Sequence, residues 1–113
     1  MSAAGQLPSP IRVLLIDASE IFRRGVKSVL SAQGEPPIQV VGEAGSAAEG
    51  LAGCRRLRPD VVLIDLVPPE GPAPPALRQF ARRAPDSRLL VLAPQVSDAL
   101  VHEAVTAGAR GIL

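Results

Sequence analysis

The sequence predicts an α/β fold: a doubly wound parallel sheet with helices on both faces. Short runs of branched aliphatic residues alternate along the chain with amphipathic stretches of about ten to fourteen residues, which is typical of parallel strands joined by right-handed crossovers. Hydrophobic residues make up 47% of the 113 residues, yet Phe22 and Phe80 are the only aromatics. The predicted core is therefore aliphatic, and the length suits one domain.

The first strand is predicted at Ile11–Ile16, an apolar run with proline before it and Asp17 after it. A helix follows in "ASEIFRRGVKSVLSAQG". Ser19 is its predicted N-cap and Gly34 its predicted end. Five apolar side chains fall on one face of this helix: Ile21, Phe22, Val26, Val29 and Leu30.

The same unit then repeats. Ile38–Gly42 reads as a strand, and Ser46 with Glu49 forms a capping box that opens the second helix. Gly50 and Gly53 weaken this helix without abolishing it. Its predicted inward stripe consists of Ala47, Leu51, Cys54 and Leu57. Pro59 stops the pattern, and "VVLID" is the third strand.

Two further units complete the pattern. Pro74 or Pro75 can occupy the first turn of a third helix, which carries Leu77 and Phe80. Ser87–Ala93 is the fourth strand. Ser97 and Gly108 are the predicted ends of a fourth helix with one apolar face, formed by Leu100, Val101, Ala104 and Val105. The closing "GIL" begins a fifth strand.

Composition excludes several classes of protein. Twelve basic and eleven acidic residues leave a net charge of +1, without the basic surface expected of a DNA-binding domain. Cys54 is the single cysteine, so an internal disulfide is impossible, and we interpret it as a small apolar residue on a helix face. Residues 1–10 read as a disordered leader, and no apolar run is long enough to span a bilayer. A soluble, cytoplasmic protein is expected.

Carboxylates stand where two of the predicted strands end. Asp17 follows the first strand and Asp65 closes the third. If the strand order is 2-1-3-4-5, these strands are neighbours and the two carboxylates converge at the edge where such sheets carry their sites. Their repulsion would be tolerated for a shared cation or for modification of one of them. The alternative is two solvated residues that cap the following turns.

Three segments together carry a family resemblance: "IRVLLIDASEIFRRGVKSVL", "VVGEAGSAAEGLAGCRRLRPDVVLIDL" and "AGARGIL". They resemble the receiver domain of NarL/LuxR-type bacterial response regulators, over residues 11–113. The resemblance implies a flavodoxin-like (CheY-like) fold, here truncated before the fifth helix. Apolar surface left by that helix would need a covering chain, so a homodimer is expected.

The resemblance also implies a chemistry. In the family a histidine kinase passes a phosphoryl group to the aspartate at the position of Asp65, and Mg²⁺ assists. Asp17, Asp65 and the Val67 carbonyl would be the metal ligands here. Since an acidic pair is usual at the first strand and Ala18 replaces its second member, the site would bind Mg²⁺ weakly if at all, and no cofactor is expected to be required.

The chain departs from the family at three strand ends. Ala18 lacks a ligand carboxylate, Ala93 stands where a Thr or Ser hydroxyl is expected, and Ile112 replaces an aromatic switch residue. Five prolines within residues 68–75 also stiffen the loop after Asp65. We therefore expect an atypical regulatory module that acts through dimerisation or protein contacts. A working phosphoreceiver, or a small-molecule sensor using the emptied pocket, are the alternatives.

No catalytic residue is predicted. Val67 stands where a phosphatase of the haloacid dehalogenase type has its second acid, and no phosphate-binding loop follows the first strand. His102, the single histidine, is interpreted as a surface residue. The arginines at 55, 56, 58, 82 and 83 are interpreted as solvated helix ends. DNA contacts are expected only from a helix-turn-helix domain outside this chain.

Overall fold

The computed structural model describes residues 9–32, 34–65, 75–93 and 97–112, with the backbone alone at 75 and 76. Strands and helices alternate in the predicted order. The strands are β1 (Ile11–Ile16), β2 (Ile38–Ala44), β3 (Val61–Asp65), β4 (Arg88–Leu92) and β5 (Gly111–Ile112). The helices are α1 (Glu20–Ser31), α2 (Ala47–Leu57), α3 (Pro75–Arg83) and α4 (Asp98–Ala107).

The five strands form one parallel sheet in the order β2-β1-β3-β4-β5. This confirms the predicted doubly wound, CheY-like topology. β1 and β3 are neighbours, with Ile16 paired to Ile64 at the end of their ladder. The next residue along each strand is an aspartate, so the topology places both carboxylates at one edge.

The helix caps form largely as the sequence predicts. The hydroxyls of Ser19, Ser46 and Ser97 accept hydrogen bonds from the backbone N–H groups of Phe22 (3.2 Å), Glu49 (3.2 Å) and Leu100 (3.1 Å). Gly108 ends α4 with φ of 114°, a conformation that favours glycine. Pro75 begins α3, as one of the two proline positions predicted.

Several element ends differ from the prediction. α1 stops at Ser31 and is capped by Ala32, so Gly34 does not terminate it. β2 continues to Ala44, since it pairs with β1 as far as Ile16 after a shift of register between Val13 and Leu14. β4 is shorter than predicted, ending at Leu92.

The core has two parts, one on each face of the sheet. On one face α2, α3 and α4 pack over the sheet, and Phe80 and Leu77 are the largest side chains they bury. The predicted stripe of α2 packs into this core, with Cys54 buried within it. Burial raises the pKa of the Cys54 thiol, so this cysteine is an apolar packing residue.

The other face is covered by α1 alone within the described residues. Val26 and Leu30 of α1 pack against a smaller cluster formed by Val13, Leu15 and Leu63. Ile21, Phe22 and Val29 remain 85%, 46% and 61% exposed, so the predicted apolar face of α1 is only partly used in packing.

The apolar face predicted for α4 is wrong in part. Ala104 and Ala107 are its buried residues, whereas Val101 and Val105 are exposed. The small alanines let the helix approach α3 and the sheet closely, which turns the valines outward. No helix in the described part of the chain has the length and apolar character needed to cross a membrane.

Candidate functional site

Three hydrogen bonds hold Asp17 at the end of β1. Its N–H donates to the Ala44 carbonyl at 2.9 Å, and its own carbonyl accepts a hydrogen bond from the Arg23 guanidinium. Oδ1 of Asp17 accepts from the Ser19 N–H at 2.7 Å. This turn places the side chain over the carboxyl ends of β1 and β3.

The Asp17 carboxyl group is buried, with the residue 3% exposed. Its Oδ2 atom has no hydrogen-bond partner among the described residues. Asp17 does cap the following turn through Oδ1, as the alternative expected, but its burial does not fit a solvated residue. A buried carboxylate oxygen without a donor is costly, and a proton or a cation would relieve that cost.

Asp65 supplies the second carboxyl group of this edge. It closes β3, where it pairs in register with Leu92 of β4, and it is half-buried. Burial raises its pKa to about 6. Hydrogen bonding to the Asp17 carboxylate, which favours the protonated form of Asp65, and repulsion between the two charges act in the same direction.

The predicted convergence of Asp17 and Asp65 is therefore present in the structure. A proton on Asp65 would provide the donor that Oδ2 of Asp17 lacks. Below about pH 6 the Asp65 carboxyl group is protonated, and above it Asp65 is charged. This arrangement can hold a cation at neutral pH.

The three positions that depart from the family resemblance add no polar group to this end of the sheet. Ala18 is exposed in the turn before α1. Ala93 follows β4, and Ile112 of β5 pairs with Val91 of β4. Ala93 and Ile112 are partly buried against the core. Methyl and aliphatic groups neither coordinate a cation nor donate a hydrogen bond.

The fit of a divalent cation rests on Asp17 and Asp65. Among the described residues, no three His, Cys, Asp or Glu side chains lie close enough to hold a metal together. Val67, the predicted carbonyl ligand, lies outside the described residues, as do the prolines at 68, 69, 72 and 74. Two carboxylates fit a magnesium ion that retains several waters.

An ion-pair network beside the site was not predicted. Glu43, near the end of β2, contacts Arg23 at 3.2 Å and Lys27 at 2.9 Å. The hydrogen bond from Lys27 is the main reason that the pKa of Glu43 is lowered, and Arg23 contributes as well. The spacing of four residues between these two basic side chains on α1 was the sequence signal.

Through this network Arg23 connects three elements. Its Nε bonds Glu43 of β2, while another guanidinium nitrogen bonds the Asp17 carbonyl. The guanidinium thus stabilises the turn that carries Asp17 and places a positive charge near the acidic edge. The Asp17 carboxylate itself has no basic partner within the described part of the chain.

Comparison with known proteins decides the family. The family model of the response regulator receiver domain matches residues 13–113, which is most of the chain. The chain belongs to the response regulator receiver domain family. The DNA-binding transcriptional activator DevR/DosR of Mycobacterium tuberculosis is 41% identical over 101 residues, covering 89% of this chain and 46% of that protein.

Other relatives of this receiver domain agree. The transcriptional regulatory protein LiaR of Bacillus subtilis is 40% identical over 103 residues, covering 91% of this chain and 48% of LiaR. This receiver domain therefore spans about half the length of the curated relatives it matches. These relatives are transcriptional regulators, and at the level of the family the domain is a signalling module of two-component systems.

Solved structures show the same architecture. The signal receiver domain of the response regulator NarL from Mycobacterium tuberculosis superposes with a TM-score of 0.79 at 31% identity, covering 94% of this chain and 84% of that one. A LuxR-family response regulator from Aurantimonas sp. SI85-9A1 gives a TM-score of 0.80 at 30% identity, covering 92% and 73%. The NarL/LuxR resemblance is confirmed.

Proposed function

We propose that this receiver domain regulates transcription through dimerisation or protein contacts that do not depend on a phosphoryl group at Asp65. One observation supports the proposal: Ala18 follows β1, Ala93 follows β4 and Ile112 lies in β5, and the family resemblance implies polar or aromatic groups for metal binding and signal coupling at these positions. The core and the topology are intact, so the fold is retained while its chemical output is reduced.

Magnesium binding would be weak in this account. Asp17 and Asp65 are the side chains that would hold the ion, together with the predicted Val67 carbonyl. When bound, the ion would screen the carboxylate from an incoming phosphoryl group. The methyl group of Ala18 adds no third charge, and Mg²⁺ dehydrates reluctantly without strong ligands.

A working phosphoreceiver is the second candidate, and the paired aspartates favour it. The Asp65 carboxylate would attack the phosphorus of a phosphohistidine on a histidine kinase, forming an O–P bond as the N–P bond breaks. Ala93 would leave the transferred phosphoryl oxygens without a hydroxyl donor at β4. The modification would then have little means of reaching β5, where Ile112 packs into the core.

The small-molecule alternative stays a prediction. Its motive is that the methyl groups of Ala18 and Ala93 would leave the acidic pocket larger and more apolar. Exposed apolar side chains on α1 support the contact-based proposal more directly, since Ile21 and Val29 are 85% and 61% exposed. A homodimer is the simplest assembly that would cover them.

The proposed setting is a cytoplasmic regulator. DevR/DosR is named as a DNA-binding transcriptional activator, and this chain covers 46% of it. By analogy, DNA would be contacted through a helix-turn-helix domain outside the present chain. A histidine kinase is the proposed partner only where the second candidate holds.

The test is an amide NMR titration with Mg²⁺ and beryllofluoride, a phosphoryl mimic. We expect shifts of the wild-type chain to be small and confined to the neighbourhood of Asp17 and Asp65. The matched variant Ala18→Asp with Ala93→Thr restores the family's groups, and its Mg²⁺ affinity should rise by about tenfold or more. Wild-type shifts that spread through β4 and β5 would overturn the proposal in favour of the phosphoreceiver.

A further inference from the structure

A cavity lies at the edge of the sheet opposite Asp65. It is an open, solvent-accessible cavity of about 460 Å³ between the last turns of α2 and α3, below the starts of β3 and β4. Its walls include the turns that lead into these two strands, from Arg58 to Asp60 and from Ala84 to Ser87. A volume of this size is that of a small-molecule site.

Three exposed arginines line this cavity: Arg55 in the last turn of α2, Arg58 at its C-cap, and Arg83 in the last turn of α3. None of the three side chains has an ion-pair or hydrogen-bond partner in the described part of the chain. Arg56 and Arg82, their sequence neighbours, do not line the cavity, and the interpretation as solvated helix ends suffices for those two.

The backbone at Arg58 is unusual. Its φ of 49° lies in the left-handed region, where residues other than Gly, Asn and Asp are uncommon. Two hydrogen bonds hold it there: the Arg58 N–H donates to the Cys54 carbonyl at 2.9 Å, and the Arg12 guanidinium donates to the Arg58 carbonyl at 2.9 Å. The fold thus keeps an arginine at the cavity rim in a conformation that another residue would adopt more easily.

The cavity also presents acceptors. Two of these acceptors are already engaged. Oδ2 of Asp60 accepts a hydrogen bond from the Arg12 backbone N–H at 2.8 Å, and the Pro59 carbonyl accepts one from the Ser87 hydroxyl at 2.6 Å. Asp86 is exposed and its carboxylate has no partner within the described residues. The C-terminal ends of α2 and α3 add negative helix ends.

This mixture of groups defines the ligand. A purely anionic ligand would suit the three arginines but would leave the Asp86 carboxylate, which lines the same cavity, without a donor. We propose that the cavity binds a small phosphorylated ligand that also carries N–H donors, the chemistry of a nucleoside monophosphate. The phosphate would contact Arg55, Arg58 and Arg83 through charge-assisted hydrogen bonds, and the N–H groups of the base would donate to Asp86. The site is independent of the chemistry at Asp65.

The arginine neighbours give a matched test. Binding of guanosine monophosphate, guanosine and inorganic phosphate is measured by calorimetry and amide NMR on the wild-type chain. We compare Arg55→Gln with Arg83→Gln, which removes two cavity charges, and Arg56→Gln with Arg82→Gln, which removes two charges from the same turns outside it. The cavity variant should lose about tenfold or more in affinity for the monophosphate, and the control less than about twofold.

The other probes distinguish the two halves of the ligand. Guanosine monophosphate should bind about tenfold more tightly than phosphate or guanosine alone, and Asp86→Asn should weaken the nucleotide without weakening phosphate. Absence of binding by the monophosphate at millimolar concentration would overturn the proposal. Equal losses in the two arginine variants, or phosphate binding as tight as nucleotide binding, would overturn it as well.

Discussion

At the scale of single residues, the Asp17 and Asp65 carboxyl groups carry the chemistry of the domain. Asp17 is buried, and one of its carboxylate oxygens has no donor among the described residues. The pKa of the neighbouring Asp65 is raised to about 6, first by its own burial and then by its contact with Asp17. In the unfolded chain the Asp65 carboxyl titrates near 3.8. Because the folded pKa is the higher one, this group's contribution to stability is full below about pH 4 and is lost as the pH rises through about 6.

Asp65→Asn should therefore stabilise the domain near neutral pH. The amide removes one of two facing charges and can donate to Oδ2 of Asp17. We expect a gain of about 1 kcal/mol at about pH 7.5 without divalent cations, a value reduced for the partial exposure of Asp65, and little gain near pH 4. Urea unfolding across this pH range measures it, with the exposed Asp86→Asn as control. A destabilised Asp65→Asn variant at neutral pH would contradict this account of the pair.

At the scale of secondary structure, the close approach of α2 to β1 depends on a glycine. Gly50 is buried, and a Cβ atom there would lie 2.3 Å from Cδ1 of Ile16 and 3.2 Å from Phe80. The sequence suggested only that Gly50 weakens the helix. In the folded domain it lets α2 pack directly on the strand that carries Asp17.

Gly50→Ala should destabilise the domain by about 1–3 kcal/mol, because Ile16 and the helix must move apart. Gly25→Ala in α1 is the matched control, since nothing lies within 4 Å of a Cβ atom at that position. There the better helix propensity of alanine should stabilise the chain by about 0.5–1 kcal/mol. Chemical denaturation measures the free energy of unfolding of both variants. Equal changes of the same sign in the two variants would be inconsistent with the packing described.

Much of the order of strands and helices could be predicted, because the spacing of apolar residues and the capping residues determine structure locally. Ser19, Ser46, Ser97 and Gly108 took their predicted roles, and the strand ends at Asp17 and Asp65 met as expected. The faces of α1 and α4 could not be read fully from periodicity, since tertiary packing decides which side chains are covered. The arginine cavity was beyond prediction, because two segments that lie far apart in the sequence form it.

At the scale of the whole molecule, the sheet is covered unequally. Among the residues that the structure describes, three helices pack on one face and α1 alone on the other, where Ile21 and Val29 stay exposed. A surface of this kind favours association. If the output of the domain is contact-based, that association should be present without modification of Asp65.

Sedimentation velocity of the wild-type chain, with and without Mg²⁺ and beryllofluoride, tests the central claim most directly. The Asp65→Asn variant serves as the control that lacks the acceptor carboxylate. We predict a dimer whose dissociation constant is the same, within about twofold, in all three samples. A dimer that forms only when wild type is treated with Mg²⁺ and beryllofluoride, or a monomer under every condition, would contradict it.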